Sequence, residues 1–426
     1  MFRRKAFGKL LGEKNSRKIS ILIGPRQVGK TTLLRQLYGE ICVEGGERGV
    51  FLDVDMIGDL AKVESFETAL NTMRLNGYEE KRQDFFYLFL DEAQRHPPLG
   101  RIMKNIYDHL PNVKIYASGS SPLALKGQAQ ESLAGRKIIT YVYPLDFEEF
   151  LLIKRKGEIA KQLGNAVMME GARLDAASAE LHAMLEEYLV WGGYPEVALA
   201  EGEEAKRGAL ESIFDLYIKR DLVEYLKVGD TLSVKRLIEY LAINHGQKIE
   251  FSKAAAVCNL KSAKAQEYAE VLKETHIVLP VRPFFTNKNK EMVKMPKIYF
   301  LDCGVRNYFI KNFNPLRLRD DGGFLLEGFV LAELIKAGMD LDGAHFWQDK
   351  NRHEVDFVLD KGGLVAVEVK STKSPKADDY YGLRYFRKEY GDAKRAYLVN
   401  FGHQSKEKEC ECVLPYSIGK LVMGER

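Results

Sequence analysis

The stretch that decides the fold is Gly24-Pro-Arg-Gln-Val-Gly-Lys-Thr31, which has the spacing G-x-x-x-x-G-K-T. Before it, the largely apolar run Ile19-Ser-Ile-Leu-Ile23 predicts a buried strand. After it, leucines at helical spacing in Thr31-Thr-Leu-Leu-Arg-Gln-Leu-Tyr38 predict a helix. A strand, a glycine turn and a helix in this order are typical of a phosphate-binding loop, because backbone N–H groups and the helix N-terminus then point at one anion.

The loop predicts a role for each of its residues. Lys30 is long enough to reach the β- and γ-phosphates of a nucleotide, and the hydroxyl of Thr31 suits Mg²⁺. The predicted nucleotide contacts are consecutive along the chain: Gly24, Pro25, Arg26, Gln27, Val28, Gly29, Lys30, Thr31 and Thr32. We therefore expect ATP and Mg²⁺ as ligands.

Two acids follow a second buried strand. The segment Asp84-Phe-Phe-Tyr-Leu-Phe-Leu90 contains six consecutive apolar residues, and Asp91 and Glu92 come directly after it. Ligands of open α/β sheets bind at the carboxyl ends of the strands. We expect Asp91 to hold Mg²⁺, directly or through water, and Glu92 to orient or deprotonate the attacking water. The alternative is a surface acidic pair that caps the next helix.

Three more polar residues in this region are candidate catalytic residues, each with two interpretations. Ser118 and Ser120 follow the next predicted strand, where they could sense the γ-phosphate or shape a turn. Arg136 precedes another predicted strand. It could supply positive charge to the transition state, as arginine fingers do, or form a structural salt bridge.

The middle of the chain is predicted to be helical. Residues 151–228 have helical patterns, interrupted by Trp191-Gly-Gly-Tyr-Pro195, whose glycines and proline predict a turn or a hinge. From Thr231 the pattern predicts three short helices and then two strands, His276–Pro280 and Lys297–Leu301, which is the order of a winged helix, and we assign this module to residues 229–295.

The predicted winged helix has two interpretations. Its third helix and the strand connection Asn287-Lys-Asn-Lys290 are basic, which suits contacts with DNA phosphates. The lysines of the helix are Lys261, Lys264 and Lys273. The same helix also carries glutamates, so a module used only for packing or protein contacts is the alternative.

The C-terminal region predicts charged side chains on two adjacent strands. Glu354-Val-Asp-Phe-Val-Leu359 alternates, the turn Lys361-Gly-Gly363 follows, and Leu364-Val-Ala-Val-Glu-Val-Lys370 returns. With one residue from the preceding helix, four side chains can converge: Glu327, Asp356, Glu368 and Lys370. Such a cluster suits Mg²⁺-dependent phosphodiester hydrolysis. The alternative is a solvated charged face at a sheet edge.

These motifs carry a family resemblance that covers essentially the whole chain. Residues 19 to about 150 resemble an AAA-type P-loop ATPase, of the branch in which an AAA_14-like core is fused to a DUF4143-type C-terminal region. The matching pieces are the phosphate loop, Phe89-Leu-Asp-Glu-Ala-Gln94, Ser118-Gly-Ser-Ser121, Leu133-Ala-Gly-Arg136 and Tyr143-Pro-Leu-Asp-Phe-Glu-Glu-Phe150. The resemblance implies that the first two pieces bind nucleotide and Mg²⁺, and that a polar residue after the fourth strand acts as a sensor.

The C-terminal region also resembles the PD-(D/E)xK, restriction-endonuclease-like family. The residues that carry this second resemblance are Asp356 and Glu368-Val-Lys370. We therefore predict an α/β protein in four parts: a P-loop NTPase core with a parallel sheet (1–150), a helical linker (151–228), a winged helix (229–295) and a nuclease-like α/β domain (296–426).

The composition is typical of a globular protein and does not identify a partner. The chain has 426 residues, of which 46% are hydrophobic and 29% charged, and a net charge of +4. No apolar run approaches the roughly 18 residues of a membrane span. Five scattered cysteines suit reduced thiols. We expect a cytoplasmic protein without a membrane partner.

Three functions fit these predictions. The first is an ATP-hydrolysing switch whose C-terminal half engages a partner, with DNA as a candidate and self-association as an option. The second is a Mg²⁺-dependent DNA nuclease regulated by ATP. The third is a nucleotide-gated scaffold without enzymatic activity.

Overall fold

A computed structural model describes residues 2–119, 133–166, 175–216, 231–285, 294–391, 393, 395–402, 405–406 and 410–424. The chain divides into two compact units, Met1–Tyr143 and Pro144–Arg426. The first unit ends seven residues before the predicted end of the P-loop core at residue 150, and the other three predicted parts lie in the second unit.

The first unit is built on a five-stranded parallel sheet. Its strands are β1 (Ile19–Ile23), β2 (Gly49–Asp53), β3 (Phe86–Asp91), β4 (Val113–Gly119) and β5 (Lys137–Tyr141). They lie in the order β2-β3-β4-β1-β5, and each neighbouring pair is parallel. All five carboxyl ends therefore meet at one edge of the sheet. Strands β1, β3 and β4 are buried along their whole length, as expected for a parallel sheet covered on both faces.

Helices complete the first unit: α1 (Lys5–Gly12), α2 (Lys30–Tyr38), α3 (Ile57–Leu60), α4 (Phe66–Leu75) and α5 (Leu99–His109). A π-helical segment, Gly39–Glu44, continues α2. Ser65 begins α4: its hydroxyl accepts a hydrogen bond from the backbone N–H of Thr68, and its own N–H donates to the hydroxyl of Thr68. Helix α5 turns an apolar stripe that includes Ile102 and Ile106 toward the core.

The second unit begins with helices, as predicted: α6 (Phe147–Ile153), α7 (Gly157–Ala166), α8 (Asp175–Trp191), α9 (Pro195–Leu199) and α10 (Glu203–Leu216). A turn separates α8 from α9. The backbone of Gly192 is left-handed, with φ of +80°, and a Cβ there would lie 2.1 Å from a carboxylate oxygen of Asp302. The N–H of Gly193 donates to the other carboxylate oxygen at 2.7 Å, so Asp302 holds this turn in place.

The next elements follow in the order expected for residues 229–295. They are α11 (Thr231–Ile243), α12 (Phe251–Val257), α13 (Ser262–Glu274), β6 (Val278–Pro283) and β7 (Lys297–Phe300). Lys248, between the first two helices, forms an antiparallel bridge with Lys297 of β7. The connection between the two strands, including Asn287–Lys290, lies outside the described residues.

The remaining elements are α14 (Cys303–Ile310), α15 (Gly322–Lys336), β8 (Ala344–Gln348), β9 (Glu354–Asp360), β10 (Leu364–Val369), α16 (Tyr381–Glu389), β11 (Arg395–Val399), β12 (Ser405–Lys406), β13 (Glu411–Val413) and α17 (Ile418–Met423). One mixed sheet has the order β12-β13-β11-β10-β9-β8-β6-β7. Strand β6 pairs with β7 and also with β8. The predicted boundary between residues 295 and 296 therefore falls inside a single sheet.

Within the described parts of the chain, no helix combines the length and the apolar character needed to cross a membrane.

Candidate functional site

The loop between β1 and α2 has a backbone that its two motif glycines make possible. Gly29 has φ of +92°, a left-handed conformation that favours glycine. A Cβ on Gly24 would lie 1.9 Å from the carbonyl oxygen of Val142, which follows β5. Gly29 is therefore needed for conformation, and Gly24 for close packing of the loop against the neighbouring strand.

Lys30 places its ammonium inside the loop. Its side chain is buried, and Nζ donates to the carbonyl oxygens of Gly24 at 2.9 Å and of Pro25 at 2.7 Å. Helix α2 begins at Lys30, so its free N–H groups belong to the same loop. All nine predicted nucleotide contacts lie in this loop and the first turn of α2: Gly24, Pro25, Arg26, Gln27, Val28, Gly29, Lys30, Thr31 and Thr32.

Arg4 also supports the loop, and the sequence analysis missed it. Its guanidinium donates to the carbonyl oxygens of Val28 at 2.7 Å and of Tyr143 at 2.8 Å. Arg4 therefore ties the loop to the chain that leaves β5. The residue precedes α1 in a basic N-terminal segment, and nothing in its local pattern distinguishes it from the neighbouring Arg3.

Ser118 joins the two acids at the carboxyl end of the sheet. Strand β4 lies between β1 and β3, so its terminal residues stand between the phosphate loop and Asp91. The Ser118 hydroxyl donates to Oδ1 of Asp91 and accepts from the backbone N–H of Glu92 at 3.1 Å. Asp91 and Ser118 are buried, whereas Glu92 keeps partial exposure. Ser120, the other predicted sensor, lies outside the described residues.

Glu92 has an unusual backbone. Its φ of +53° is left-handed, which is uncommon for a residue with a side chain and often marks functional positions. The side-chain amide of Gln94 donates to Oε2 of Glu92. The backbone bond from Ser118 and the side-chain bond from Gln94 together fix both the turn and the carboxylate direction.

Asp53 adds negative charge to the same edge. It is the residue of β2 that pairs with Asp91 of β3. Burial, and then the neighbouring charges of Asp91, Asp55 and Glu92, raise the pKa of Asp53, although a backbone hydrogen bond opposes the shift. The neighbouring acids add to the effect of burial, and a bound cation would lower their mutual repulsion.

The residues at this edge fit Mg²⁺ bound together with a nucleotide. Among the described residues, no three or more His, Cys, Asp or Glu side chains are arranged to hold a metal by themselves. Mg²⁺ at nucleotide sites needs only one or two protein ligands, because phosphates and water supply the rest. Ser118 occupies one oxygen of Asp91, and in the described part of the chain no lysine or arginine forms an ion pair with Asp91. Asp91 and the Thr31 hydroxyl are therefore a suitable donor pair.

Arg136 lies at the other end of the sheet. Ile19 pairs with Lys137, so Arg136 stands beside the start of β1, while the loop follows its end. Five strand residues separate the two edges, which corresponds to roughly 16 Å. The guanidinium of Arg136 forms a bidentate ion pair with Asp108, at 2.8 and 3.3 Å. The structure thus supports the salt-bridge interpretation, and a catalytic role at the phosphate loop of its own chain has no geometric basis.

The four charged residues predicted in the second unit do converge. Lys370 Nζ lies 2.6 Å from Oε1 of Glu368. Oδ2 of Asp356 accepts the backbone N–H of Val369 at 2.9 Å. Asp356 and Glu368 are both buried, which excludes the solvated sheet edge as their environment.

Burial and mutual repulsion dominate the electrostatics of this cluster. Desolvation, and then the charge of Asp356, raise the pKa of Glu327 to about 8, while Lys297 and a hydrogen bond from Tyr299 oppose the rise. The same two causes raise the pKa of Glu368 well above its usual value, although Lys370 opposes the shift. Glu327 and Glu368 therefore both sense the charge of Asp356.

One further member of the cluster, Lys297, was missed from the sequence. Lys297, the first residue of β7, is 5% exposed and forms an ion pair with Oε1 of Glu354. Its Nζ lies 3.8 Å from Oδ1 of Asp356. A signal was available, because Lys297 opens an otherwise apolar strand with Tyr299 on the same face. Its partners could not be identified before the sheet order was known.

The lysines of the predicted DNA-contacting helix α13 are partly neutralised within the chain. Lys264 forms an ion pair with Glu267 at 2.9 Å, and Lys273 forms one with Asp342 at 2.7 Å. These carboxylates would compete with DNA phosphates for the two ammonium groups. The described residues therefore form a weaker basic surface than the sequence pattern indicates.

Three family profiles match the chain. The profile described as "AAA domain" matches residues 16–151, and domains of unknown function DUF8612 and DUF4143 match residues 182–316 and 322–418. The AAA and DUF4143 resemblances drawn from the sequence are thus confirmed. Together with the parallel sheet and its loop, the AAA match assigns the first unit an AAA-type P-loop fold.

Relatives that match most of the chain have low sequence identity to it. An uncharacterized protein of Methanocaldococcus jannaschii, MJ1544, is 25% identical over 354 residues, which cover 80% of this chain and 72% of that protein. An uncharacterized protein of Haemophilus influenzae is 24% identical over 365 residues, covering 83% and 82% of the two chains. Among solved structures, the Walker-type ATPase PABY2304 of Pyrococcus abyssi has a TM-score of 0.46 and 18% identity, and covers 72% of this chain and 96% of that one.

Proposed function

We propose that the first unit binds ATP with Mg²⁺ and hydrolyses it, and that the second unit passes the resulting change to a partner. The observation that carries the proposal is the Ser118 hydroxyl, which joins Asp91 to the backbone of Glu92 beside the phosphate loop. A metal-binding acid, a base and a phosphate loop at one sheet edge form the set that nucleotide hydrolysis requires.

The loop residues bind and orient the phosphates. Lys30 exchanges the carbonyl oxygens of Gly24 and Pro25 for β- and γ-phosphate oxygens, and the N–H groups that begin α2 donate to the same phosphates. Arg4 keeps the carbonyl of Val28 turned away from the nucleotide, which leaves the loop's N–H groups on the inner side. Asp91 and Thr31 would hold Mg²⁺, which would neutralise charge on the phosphate oxygens.

Glu92 is the base in this proposal. A water attacks the γ-phosphorus, the bond from that phosphorus to the bridging oxygen breaks, and ADP and phosphate result. The Glu92 carboxylate accepts the proton that the water gives up, and the proton then passes to phosphate. The hydrogen bond from Gln94 orients the Glu92 carboxylate, and the bond between Ser118 and the Glu92 backbone fixes the turn. Gln94 and Ser118 therefore position the base.

The second unit is proposed to engage the partner. The helices α11, α12 and α13, followed by β6 and β7, support a winged helix as the contacting module. DNA stays a candidate partner, and the ion pairs of Lys264 and Lys273 count against a strong phosphate contact by α13. Self-association and a cytoplasmic location likewise stay predictions.

The nuclease is the second candidate function. It is favoured by the convergence of Glu327, Asp356, Glu368 and Lys370, which a PD-(D/E)xK site requires. It would also need Mg²⁺ at Asp356 and Glu368, and the ammonium of Lys297 beside Asp356 counts against such a metal. Cleavage of DNA in Mg²⁺ that is lost in an Asp356→Asn/Glu368→Gln variant would establish this second activity.

Steady-state ATP hydrolysis by the full chain tests the leading proposal. The variant Lys30→Ala removes the ammonium that meets the phosphates, and Lys62→Ala removes a surface lysine of the same unit as a matched control. Turnover should collapse in the first variant and persist in the second. Hydrolysis at the wild-type rate by folded Lys30→Ala would contradict the assignment, and nucleotide binding without turnover by the wild type would favour the scaffold.

A further inference from the structure

The carboxylate cluster of the second unit contains its own cations. Two lysines stand among its four acids: Glu327, Glu354, Asp356 and Glu368 face Lys297 and Lys370. A nuclease of the family that this region resembles would need a divalent metal at the same carboxylates. The two requirements conflict, because a divalent metal and an ammonium group compete for the same oxygens.

The two acids on β9 have polar or charged partners inside the chain. Oδ2 of Asp356 accepts the N–H of Val369, and Oδ1 lies 3.8 Å from the ammonium of Lys297, which is an ion-pair contact longer than a hydrogen bond. Oε1 of Glu354 forms a close ion pair with Lys297, and Oε2 accepts the side-chain amide of Gln348 at 2.9 Å. Lys297 therefore faces both acids.

The acid on β10 is paired with the second lysine. Oε1 of Glu368 contacts Lys370, and its buried Oε2 has no hydrogen-bond partner among the described residues. A divalent metal at Asp356 and Glu368 would therefore add its charge beside two ammonium groups, those of Lys297 and Lys370, that already compensate these acids.

Lys297 is held firmly in its position. It begins β7, its side chain is buried, and its ammonium lies 5.4 Å from the ring centre of Phe346 on β8. Strand β7 pairs with β6, and β6 pairs with β8, so the sheet itself carries the lysine to the acids. A surface lysine could leave when a metal arrives, whereas this lysine would first have to break buried ion pairs.

We propose that Lys297 is the resident cation of this cluster and excludes divalent metal ions from it. The residues present do not fit the metal that the nuclease resemblance implies, and the disagreement is centred on Lys297. Removing its charge, while keeping its length, should leave Glu354 and Glu327 without this cation and Asp356 with Lys370 alone, and convert the cluster into a metal site.

Equilibrium binding of Mn²⁺ to the nucleotide-free full chain tests this proposal. The proteins compared are wild type, Lys297→Met and the double variant Lys297→Met/Asp356→Asn. We expect at least about tenfold tighter Mn²⁺ binding in Lys297→Met than in wild type, and loss of that gain in the double variant. Weak Mn²⁺ binding in the first unit is common to all three proteins and cancels in the comparison.

Two results would overturn the proposal. One is Mn²⁺ binding by the wild type that disappears in Asp356→Asn, because the cluster would then hold a metal with Lys297 in place. The other is a folded Lys297→Met protein that binds Mn²⁺ no more tightly than wild type. If Lys297→Met does not fold, wild type and Asp356→Asn decide the question: identical isotherms support exclusion, and tighter binding by wild type refutes it.

Discussion

Each unit has buried acids where a β-strand ends or returns, and the two sites differ in what faces the carboxylates. In the first unit, Asp91 receives a hydrogen bond from the neutral hydroxyl of Ser118. In the second, Asp356 faces the ammonium of Lys297, and Glu368 faces that of Lys370. A hydroxyl fixes a carboxylate and leaves its charge, whereas an ammonium cancels the charge.

The difference teaches that a set of acids in a sequence does not by itself define a metal site. At the first site, burial and then the neighbouring acids raise the pKa of Asp53, and a bound cation would relieve the repulsion among these acids. At the second, the charges of Asp356, Glu327 and Glu354 raise the pKa of Lys297, although its burial opposes the rise. At the second site, the cation that faces the acids is therefore a lysine of the chain itself.

The largest expected effect concerns the base of the first site. Glu92→Gln keeps the size of the side chain but cannot accept a proton, so ATP turnover should fall about 10²- to 10⁴-fold while ATP stays bound. Retention of radiolabelled ATP on the purified protein is the measurement. Glu79→Gln, on the surface of the same unit, is the control and should hydrolyse normally. Equal turnover by Glu92→Gln and wild type would remove Glu92 from the mechanism.

A smaller effect is expected from removing the hydroxyl of Ser118. Ser118→Ala removes the hydroxyl that holds Asp91 and the backbone of Glu92, and the loss of charge-assisted hydrogen bonding should lower turnover about tenfold. Ser118→Thr keeps the hydroxyl and should recover most of the rate. Unchanged turnover in Ser118→Ala would instead support the alternative interpretation, in which Ser118 only shapes a turn.

The second site predicts a pH-dependent stability. The pKa of Glu327 is about 8 in the folded chain and near 4.5 when unfolded, so the folded state holds an extra proton between these values and wild type loses stability as pH rises. The side chain introduced by Glu327→Gln does not titrate. The free energy of unfolding of this variant, relative to that of wild type, should therefore rise across this range by at most about 1.4 kcal/mol for each pH unit.

Fluorescence can follow that change in the second unit alone, because both tryptophans, Trp191 and Trp347, lie there. The measurement is the unfolding transition at pH values from 5 to about 8. Glu158→Gln, at an exposed position, is the control and should track wild type. A stability difference for Glu327→Gln that stays constant with pH would contradict the raised pKa.

The smallest effect is expected at Arg136. Its ion pair with Asp108 is partly exposed, so Arg136→Ala should cost no more than about 1 kcal/mol of stability and leave the turnover of ATP unchanged. Calorimetric unfolding and the hydrolysis assay together check this. A severe loss of turnover in a stable Arg136→Ala protein would instead support contact with a nucleotide on a neighbouring copy of the chain.

Local patterns were sufficient for the first site. The spacing of Gly24, Gly29 and Lys30 specifies a loop conformation, and Asp91 and Glu92 end a strand whose apolar run is unmistakable, so each could be recognised without its neighbours. Arg4 could not, because its role depends on carbonyl groups that are 24 and 139 residues away in the sequence.

Long-range pairing also limited the prediction of the second site. The register of β9 and β10 follows from a short turn, so the convergence of Asp356 with Glu368 was predictable. The position of Lys297 depends on β6 joining β8, a pairing that crosses the predicted domain boundary. The location of Arg136 could not be predicted for the same reason, because the pairing of β5 with β1 determines at which edge of the sheet this residue lies.

The most direct test of the contrast between the two sites is the number of tightly bound Mn²⁺ ions per chain in the presence of a non-hydrolysable ATP analogue. We predict one ion per chain, lost in Lys30→Ala, which cannot hold the nucleotide, and unchanged in Asp356→Asn. A second tightly bound ion, or loss of the bound ion in Asp356→Asn with Lys30 intact, would contradict the assignment of metal chemistry to the first unit.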